Sequence, residues 1–518
     1  MYTRLKLVCS GCEFKWSKIS RPTLSRCQKT RVWCYDIKNI GQISTRGTLN
    51  IGQIRWYTLR SFRGPDPVKF PRLTPQHVTA ILQANETSVE ETYGPVKGFE
   101  TNQLQSNNPI EDRRGEARLL TSHSKWGVGG RYLFGMFDGH AGNSCAQSVR
   151  ERLFHYIAVT LSSPEILHQI KDDKMNLDEE LMHQYRSGLD YYNENLGAVQ
   201  QRSLAKFASE TLAVHGEEDT LVDNLTNAFV RLDQDICTEA LPEQNSNLNF
   251  HCLQSAFSGA VGCVAFVDGL DLYIANAGDA QAVLGVNTHG DEWEAVALSN
   301  LHNADNESEV NRLFRHHPNE SGNILKNGRL FGDLAPLRAF GDVRYKWASK
   351  DLKHIANTVR SPQSAISIYG NRLIPRNYHT PPYLTAEPEI IHHRLTPRDK
   401  FLVLASDGLW DTLSPEKVVQ LVAGHLDGRQ VWVNFHPPQG TTLKDINEML
   451  KRRKSSLANI TVDANVATHL IRNSLGPDHG QLSAQLTLPD SIVRFYRDDI
   501  SVTVIYFDTD YIIDKASV

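Results

Sequence analysis

No apolar run in this 518-residue sequence approaches eighteen residues, the best being Ala260 to Val267, so a membrane-spanning helix is not expected. Cysteine is scarce: Cys9, Cys12, Cys27 and Cys34 near the start, then Cys145, Cys237, Cys252 and Cys263. Cys9-x-x-Cys12 lacks a second close pair to complete a zinc site, and reduced thiols are expected rather than a disulfide framework. There is no EF-hand-like loop from which calcium control could be read, no internal repeat and no low-complexity tract. What remains, 40% hydrophobic and 22% charged residues, is the composition of an ordinary soluble protein with ample core, long enough for two or three average domains.

Acid is missing from one end. Residues 1–60 hold twelve Lys or Arg against Glu13 and Asp36, a net of +10 in a chain whose total is −4, so residues 61–518 carry −14. Arg4, Lys6, Lys15, Lys18 and Arg21 interleave with Leu5, Leu7, Phe14 and Trp16 among many Ser and Thr, the pattern of a mitochondrial transit peptide. A basic arm touching nucleic acid or lipid has the same charge. The acidic remainder, with no basic, aromatic-interleaved stretch, favours targeting and gives no sign of nucleic-acid binding. Residues 1–62 are therefore read as transit peptide and linker, and 63–518 as the folded part, entered through Arg63-Gly64-Pro65-Asp66-Pro67.

Within the folded part, Phe137-Asp138-Gly139-His140 closes the largely apolar run Tyr132 to Phe137, read as a buried strand that delivers its last side chains to a sheet edge. Residues two apart on an extended segment share a side, so Asp138 and His140 face one site if Gly139 does not twist the chain away. An isolated D-G-H is more often a plain turn. Three further acidic stations shift that balance: Glu111-Asp112 upstream, Asp407-Gly408 after the run Phe401 to Ala405, and Asp498-Asp499 before the run Ile500 to Phe507. Carboxylates at several strand tips suit oxygen-loving cations such as magnesium or manganese.

Periodicity predicts a short helix from Thr74-Pro75, one from Asn143 to Leu161 and another from Leu221 to Ala240. Strands at 258–267, 272–277, 281–286 and 293–298, separated by Asp-Gly and Gly-Asp turns, read as one antiparallel meander. Asn306-x-x-Glu309 resembles a capping box, and Ser414-Pro415 opens a helix through Val418 and Val419. Insertions are expected near 162–220 and 425–480. Strict strand and helix alternation is absent, which favours an α+β arrangement of antiparallel sheets.

Hydrolysis of a phosphate monoester fits this carboxylate set. Two metal ions about 4 Å apart generate hydroxide at neutral pH and neutralise phosphoryl oxygens, and His140 beside them can protonate the leaving oxygen. Asp138, Asp407, Asp498 and Glu111, with the Gly139 carbonyl, are the candidate cage. Glu111-Asp112, Asp138-Gly139-His140, Gly278-Asp279, Arg338-Ala339-Phe340-Gly341-Asp342, Ser406-Asp407-Gly408-Leu409-Trp410-Asp411 and Asp498-Asp499-Ile500-Ser501 together resemble the type 2C metal-dependent protein phosphatases, in that family's order across about 107 to 508. The resemblance implies a four-layer αββα sandwich, two antiparallel sheets flanked by helices. It also implies a serine/threonine phosphatase in which metal-bound hydroxide attacks phosphorus, two Mg2+ or Mn2+ per site and a weaker third ion at Asp279; Gly278-Asp279 is equally a plain hairpin turn. A catalytically silent scaffold of the same fold would be expected to lose the metal ligands, and they are present.

Pro109-Ile110-Glu111-Asp112-Arg113-Arg114, Glu151-Arg152-Leu153-Phe154, the run Tyr378 to Pro388 and Ala467-Thr468-His469-Leu470-Ile471-Arg472 are similar to the mitochondrial branch acting on pyruvate dehydrogenase. That branch implies phosphoserine on the decarboxylase component as substrate, with the lipoyl-bearing core of the complex and a regulatory subunit as partners; another substrate is the alternative. Two departures from the wider family stand out. Asn107 occupies the place of a phosphate-binding Arg, leaving Asn107 itself and Arg113 or Arg114 as candidates for that contact. Ser258-Gly259-Ala260-Val261 lacks the usual Thr. Asp499 is expected to support rather than ligate, Asp342 and Asp411 read as turn or cap residues, and His316-His317 and His392-His393 as surface pairs.

Overall fold

Two antiparallel sheets carry the fold in this computed structural model, which describes residues 72–92, 94–120, 130–185, 194–214, 219–241, 248–290, 292–359, 369–430, 441–455, 462–476 and 478–517. The basic segment 1–62 lies outside the described residues. Numbered in chain order, the strands are β1 (Thr87–Glu90), β2 (Val96–Leu104), β3 (Arg113–Leu119), β4 (Arg131–His140), β5 (Met182–Tyr185), β6 (Gly259–Asp268), β7 (Asp271–Ala277), β8 (Gln281–His289), β9 (Glu292–Ala297), the two-residue strands β10 (Leu325–Lys326), β11 (Arg329–Leu330) and β12 (Phe340–Gly341), then β13 (Glu389–Arg394), β14 (Asp399–Ala405) and β15 (Ile500–Phe507). The first sheet runs β1-β2-β15-β14-β8-β9. The second runs β13-β7-β6-β4-β3-β5, with β12 added on β6.

The central strands are apolar without alternation because both faces are covered. On β4, Tyr132, Phe134 and Met136 pack between the sheets with Val261, Leu284, Leu404 and Ile505. Leu133 and Phe137 point the other way, onto Val149, Leu153 and Ile157 of the helix Ser144–Thr160. Burial of each such Phe is worth about 2–3 kcal/mol. Helices Leu221–Glu239 and Phe250–Phe257 pack with Ser144–Thr160 over the second sheet, while Pro415–Gln430 and Val466–Leu475 cover the first. This is the expected αββα layering.

Helix starts follow their caps. Thr74 accepts from His77 N at 3.2 Å with Pro75 at the first helical position. Asn306 caps Glu307–His316, but the box predicted there is half made: Glu309 turns away from Asn306 to receive Arg312 and Arg338. The predicted meander also differs. β6 and β7 form a hairpin in the second sheet, β8 and β9 one in the first, and the chain crosses between sheets at Gly278-Asp279. Gly278 has φ +130°, and a Cβ there would lie 2.2 Å from the Val261 side chain. A sheet-to-sheet crossing and a hairpin turn call for the same Gly-Asp chemistry, so local sequence does not separate them.

Antiparallel pairing gathers one end of many strands. The ends of β4, β7 and β14 and the starts of β3, β6, β8 and β15 meet there, with Asp138 opposite Val261, Arg113 opposite Phe137 and Ala405 opposite both Val502 and Gln281.

Candidate active site

β4 continues through His140 instead of stopping at Phe137, so Asp138 and His140 keep the parity of Tyr132, Phe134 and Met136 and face the gap between the sheets. Gly139 faces the other way, where a Cβ would lie 2.4 Å from the Glu111 carbonyl oxygen and 3.1 Å from Ala146 Cβ. The glycine lets the loop carrying Glu111 press against the strand. Glu111 Oε1 accepts from Gly142 N at 2.6 Å.

Asp499 holds that loop from the opposite sheet. Its carboxylate accepts from Ser106 N, from Asn107 N at 2.9 Å, from Asn107 Nδ2 at 3.0 Å and from Glu111 N at 2.8 Å. Asp499 is buried and spends both oxygens on this anchorage. Beside it, Asp407 starts the one-turn helix Asp407–Trp410, and Gly408 allows the Asp499 carbonyl to approach: a Cβ would lie 2.0 Å from that oxygen.

The acids feel one another. Asp138 is pushed well above the ordinary carboxylate range, first by desolvation and then by Asp112, Asp407, Asp279 and Asp498. Asp407 is raised to about 7 by desolvation, Asp279 and Asp498, and Asp279 to about 6, chiefly by desolvation. Asp498 and Glu111 are also raised, with desolvation the main cause. Asp112, which the sequence places in an acidic station but not in the cage, is buried and raised well above its usual value by desolvation and Asp499. Among the described residues no group of three or more His, Cys, Asp or Glu is drawn together tightly enough to hold a metal ion as it stands. The donor set nevertheless fits hard divalent cations: Asp407 Oδ1 and Asp112 Oδ2 are buried oxygens without a hydrogen-bond partner, and clustered carboxylates relieve their repulsion by sharing protons or by binding cations.

His140 Nε2 lies 2.6 Å from Asp342 Oδ2. Burial works against the imidazolium, but the charge and hydrogen bond of Asp342 outweigh it and the net shift is upward. Asp342, expected as a turn residue, is a turn residue with a partner: it takes φ +50° before the short 3-10 turn Val343–Tyr345. Gly259 makes room for the pair, since a Cβ would lie 2.0 Å from His140 Nε2 and 2.2 Å from Asp342 Oδ2. Next door, Asp233 accepts from Gly341 N at 2.8 Å and from Lys346 Nζ at 2.7 Å. Asp233 raises the Lys346 ammonium against the effect of burial.

The phosphate-binding candidates read from sequence are occupied elsewhere. Asn107 is bonded to Asp499. Arg113 is buried, its Nη1 on the carbonyls of Ile110 and Asp112 at 2.9 and 2.7 Å and its Nε on Gln147, and Arg114 pairs with Glu116 at 2.7 Å. Parity explains both: they begin β3 with each face already packed. His317, expected at the surface, is buried on Tyr383 with ring centroids 4.3 Å apart. His392 is bonded to Asp271 and His393 to Asp399. The Asp342 and Asp112 roles had no local signal, since each depends on residues distant in the chain.

A family description, Protein phosphatase 2C, matches residues 183–453, a span that includes Asp279, Asp342 and Asp407. The chain is 42% identical over 467 residues to mitochondrial pyruvate dehydrogenase (acetyl-transferring) phosphatase 1 of Bos taurus, covering 86% of this chain and 84% of that one. It is 41% identical over 458 residues to the corresponding phosphatase 2 of Homo sapiens, covering 85% and 84%. A solved serine-threonine phosphatase 2C from Toxoplasma gondii superimposes over 82% of this chain and 99% of that one at 16% identity and a TM-score of 0.39, too loose a likeness to carry an argument. With the family description spanning more than half of the chain and the relatives aligned over most of it, the chain belongs to the protein phosphatase 2C family and is a serine/threonine phosphatase of that type.

Proposed function

We propose that this phosphatase removes phosphate from phosphoserine on the decarboxylase component of the pyruvate dehydrogenase complex, in the mitochondrial matrix. The observation that carries the substrate is the 42% identity over 86% of the chain to a protein named for that activity. The basic N-terminal 60 residues and the mitochondrial names of the relatives support the compartment. The lipoyl-bearing core of the complex and a regulatory subunit are the partners this reading implies.

The family is metal-dependent. In the proposed site Asp138, the Gly139 carbonyl, Glu111, Asp407 and Asp498 would hold two divalent cations, Mg2+ or Mn2+, and Asp279 a weaker third. When bound, such ions supply a nucleophile at neutral pH and neutralise phosphoryl oxygens. The residues do the rest. Asp499 fixes the Glu111 loop, Asp112 lies near enough to Asp138 to help raise its carboxyl, and Asp342 engages Nε2 of His140 so that proton delivery to the leaving serine oxygen falls to Nδ1.

The test is reactivation of phosphorylated pyruvate dehydrogenase by the purified protein, set against its action on unrelated phosphoproteins. A clear preference for pyruvate dehydrogenase is expected. Equal rates on all substrates would leave the phosphatase and remove the assignment.

A further inference from the structure

A phosphoryl dianion entering this site meets a concentration of carboxylates, and a guanidinium beside them would offset that repulsion and offer hydrogen bonds to the phosphoryl oxygens. Arg113 and Arg114 are turned inward and paired. Arg497 is directed onto the Ser106 hydroxyl. Arg494 is different: its side chain is 49% exposed, its Nη1 lies 2.6 Å from Asp498 Oδ2, and its charge partly offsets the upward shift that burial imposes on the Glu111 carboxyl.

The backbone keeps this guanidinium at the rim of the cluster. Arg494 follows the short helix Asp490–Val493, and the stretch from there to Asp499 is stitched to the loop around Asn107. Asn108 Nδ2 donates to Asp490 Oδ2 at 2.8 Å and Ser106 Oγ to the Asp498 carbonyl at 2.6 Å, beside the bonds between Asn107 and Asp499. Arg494 thus sits on the segment that packs against Asn107, over the acids that loop presents.

We propose that Arg494 binds the phosphoryl group of the substrate. The proposal rests on the carboxylate cluster being the catalytic centre. A cation held by Asp498 would compete with Arg494 for that carboxylate, and the freed fork of N–H donors would match two oxygens of a phosphate. An ordinary surface ion pair behaves differently, since its loss leaves phosphate binding unchanged.

The experiment compares full-length wild type with Arg494→Gln and Arg494→Lys, measuring Mn2+ and orthophosphate affinities by calorimetry and the KM and kcat for p-nitrophenyl phosphate. Arg494→Gln is expected to weaken orthophosphate binding on the order of tenfold or more and raise KM, with Arg494→Lys in between. Mn2+ binding should hold or tighten, because a competing positive charge is gone. Phosphate affinity within about twofold of wild type overturns the proposal, and so does parallel loss of phosphate and Mn2+, which would make Arg494 a support for Asp498 alone. Asp138→Asn separates the two levels: retained activity in that variant removes the cluster as catalytic centre, whatever Arg494 does.

Discussion

His140 Nε2 and Asp342 Oδ2 are 2.6 Å apart across 202 positions of sequence, and the contact exists because Gly259 leaves space for it. Asp342 reaches His140 from a left-handed backbone conformation at φ +50°, which costs a non-glycine residue about 1 kcal/mol. The neighbouring Asp233 carboxylate, on Gly341 N and Lys346, holds that conformation in place.

If this pair sets the proton donor, Asp342→Ala lowers kcat unevenly. Phenyl phosphate and phosphoserine peptides, whose leaving groups need protonation, should lose roughly 100-fold or more, while p-nitrophenyl phosphate, with a good leaving group, loses far less. His140→Ala should show the same imbalance. Equal losses on both substrates would assign Asp342 a structural role only.

Asp138→Asn and Asp407→Asn are each expected to abolish turnover and to weaken Mn2+ binding measured by calorimetry, with folding intact by circular dichroism. Chelation should silence the wild-type enzyme and added Mn2+ restore it. Full activity after exhaustive chelation would sink the metal assignment.

Lys346→Met leaves the buried Asp233 carboxylate unpaired, and a cost of about 3–5 kcal/mol is expected from denaturant unfolding. The double variant Asp233→Leu with Lys346→Met should recover part of the loss. Recovery stays partial because Gly341 N–H then has no acceptor.

Glu309 supplies a pH test away from the acids of the site. Burial favours its neutral form, but hydrogen bonds and charge from Arg338 and Arg312 prevail and hold the carboxyl at about 2, below the usual 4.5. A depressed pKa contributes stability that is complete above about 4.5 and is lost as pH falls toward about 2. Unfolding free energies of wild type and Glu309→Gln should therefore differ at pH 6 and converge between pH 4.5 and 2; a constant gap would contradict the ion-pair account.

Much of the architecture is legible because local chemistry is unambiguous. Breakers at Gly129-Gly130 and Gly139 bracket an apolar run, and β4 forms there; Thr74-Pro75 and Ser414-Pro415 open helices where their caps predict. β4 runs three residues further than its apolar pattern, because Asp138-Gly139-His140 reads as a turn when its partner Gly259-Ala260-Val261 is out of view. The single meander breaks at Gly278-Asp279, where the chain passes to the other sheet.

Side-chain commitments are the least legible part. Arg113 looks available for phosphate in sequence and is spent on Gln147 and two carbonyls, whereas Arg494, inconspicuous in sequence, stands at the rim. By itself the sequence determined the helices that open near Thr74, Asn143, Leu221, Asn306 and Ser414, the strands β4, β6 to β9, β14 and β15, and the carboxylates at their tips, since these follow from periodicity, turn chemistry and residue type. Only the tertiary structure decided which acids share a field, that Arg494 is exposed beside Asp498 and which carboxylate His140 meets, because each depends on contacts between strands and loops hundreds of residues apart that pairing and packing bring to one end of the two sheets.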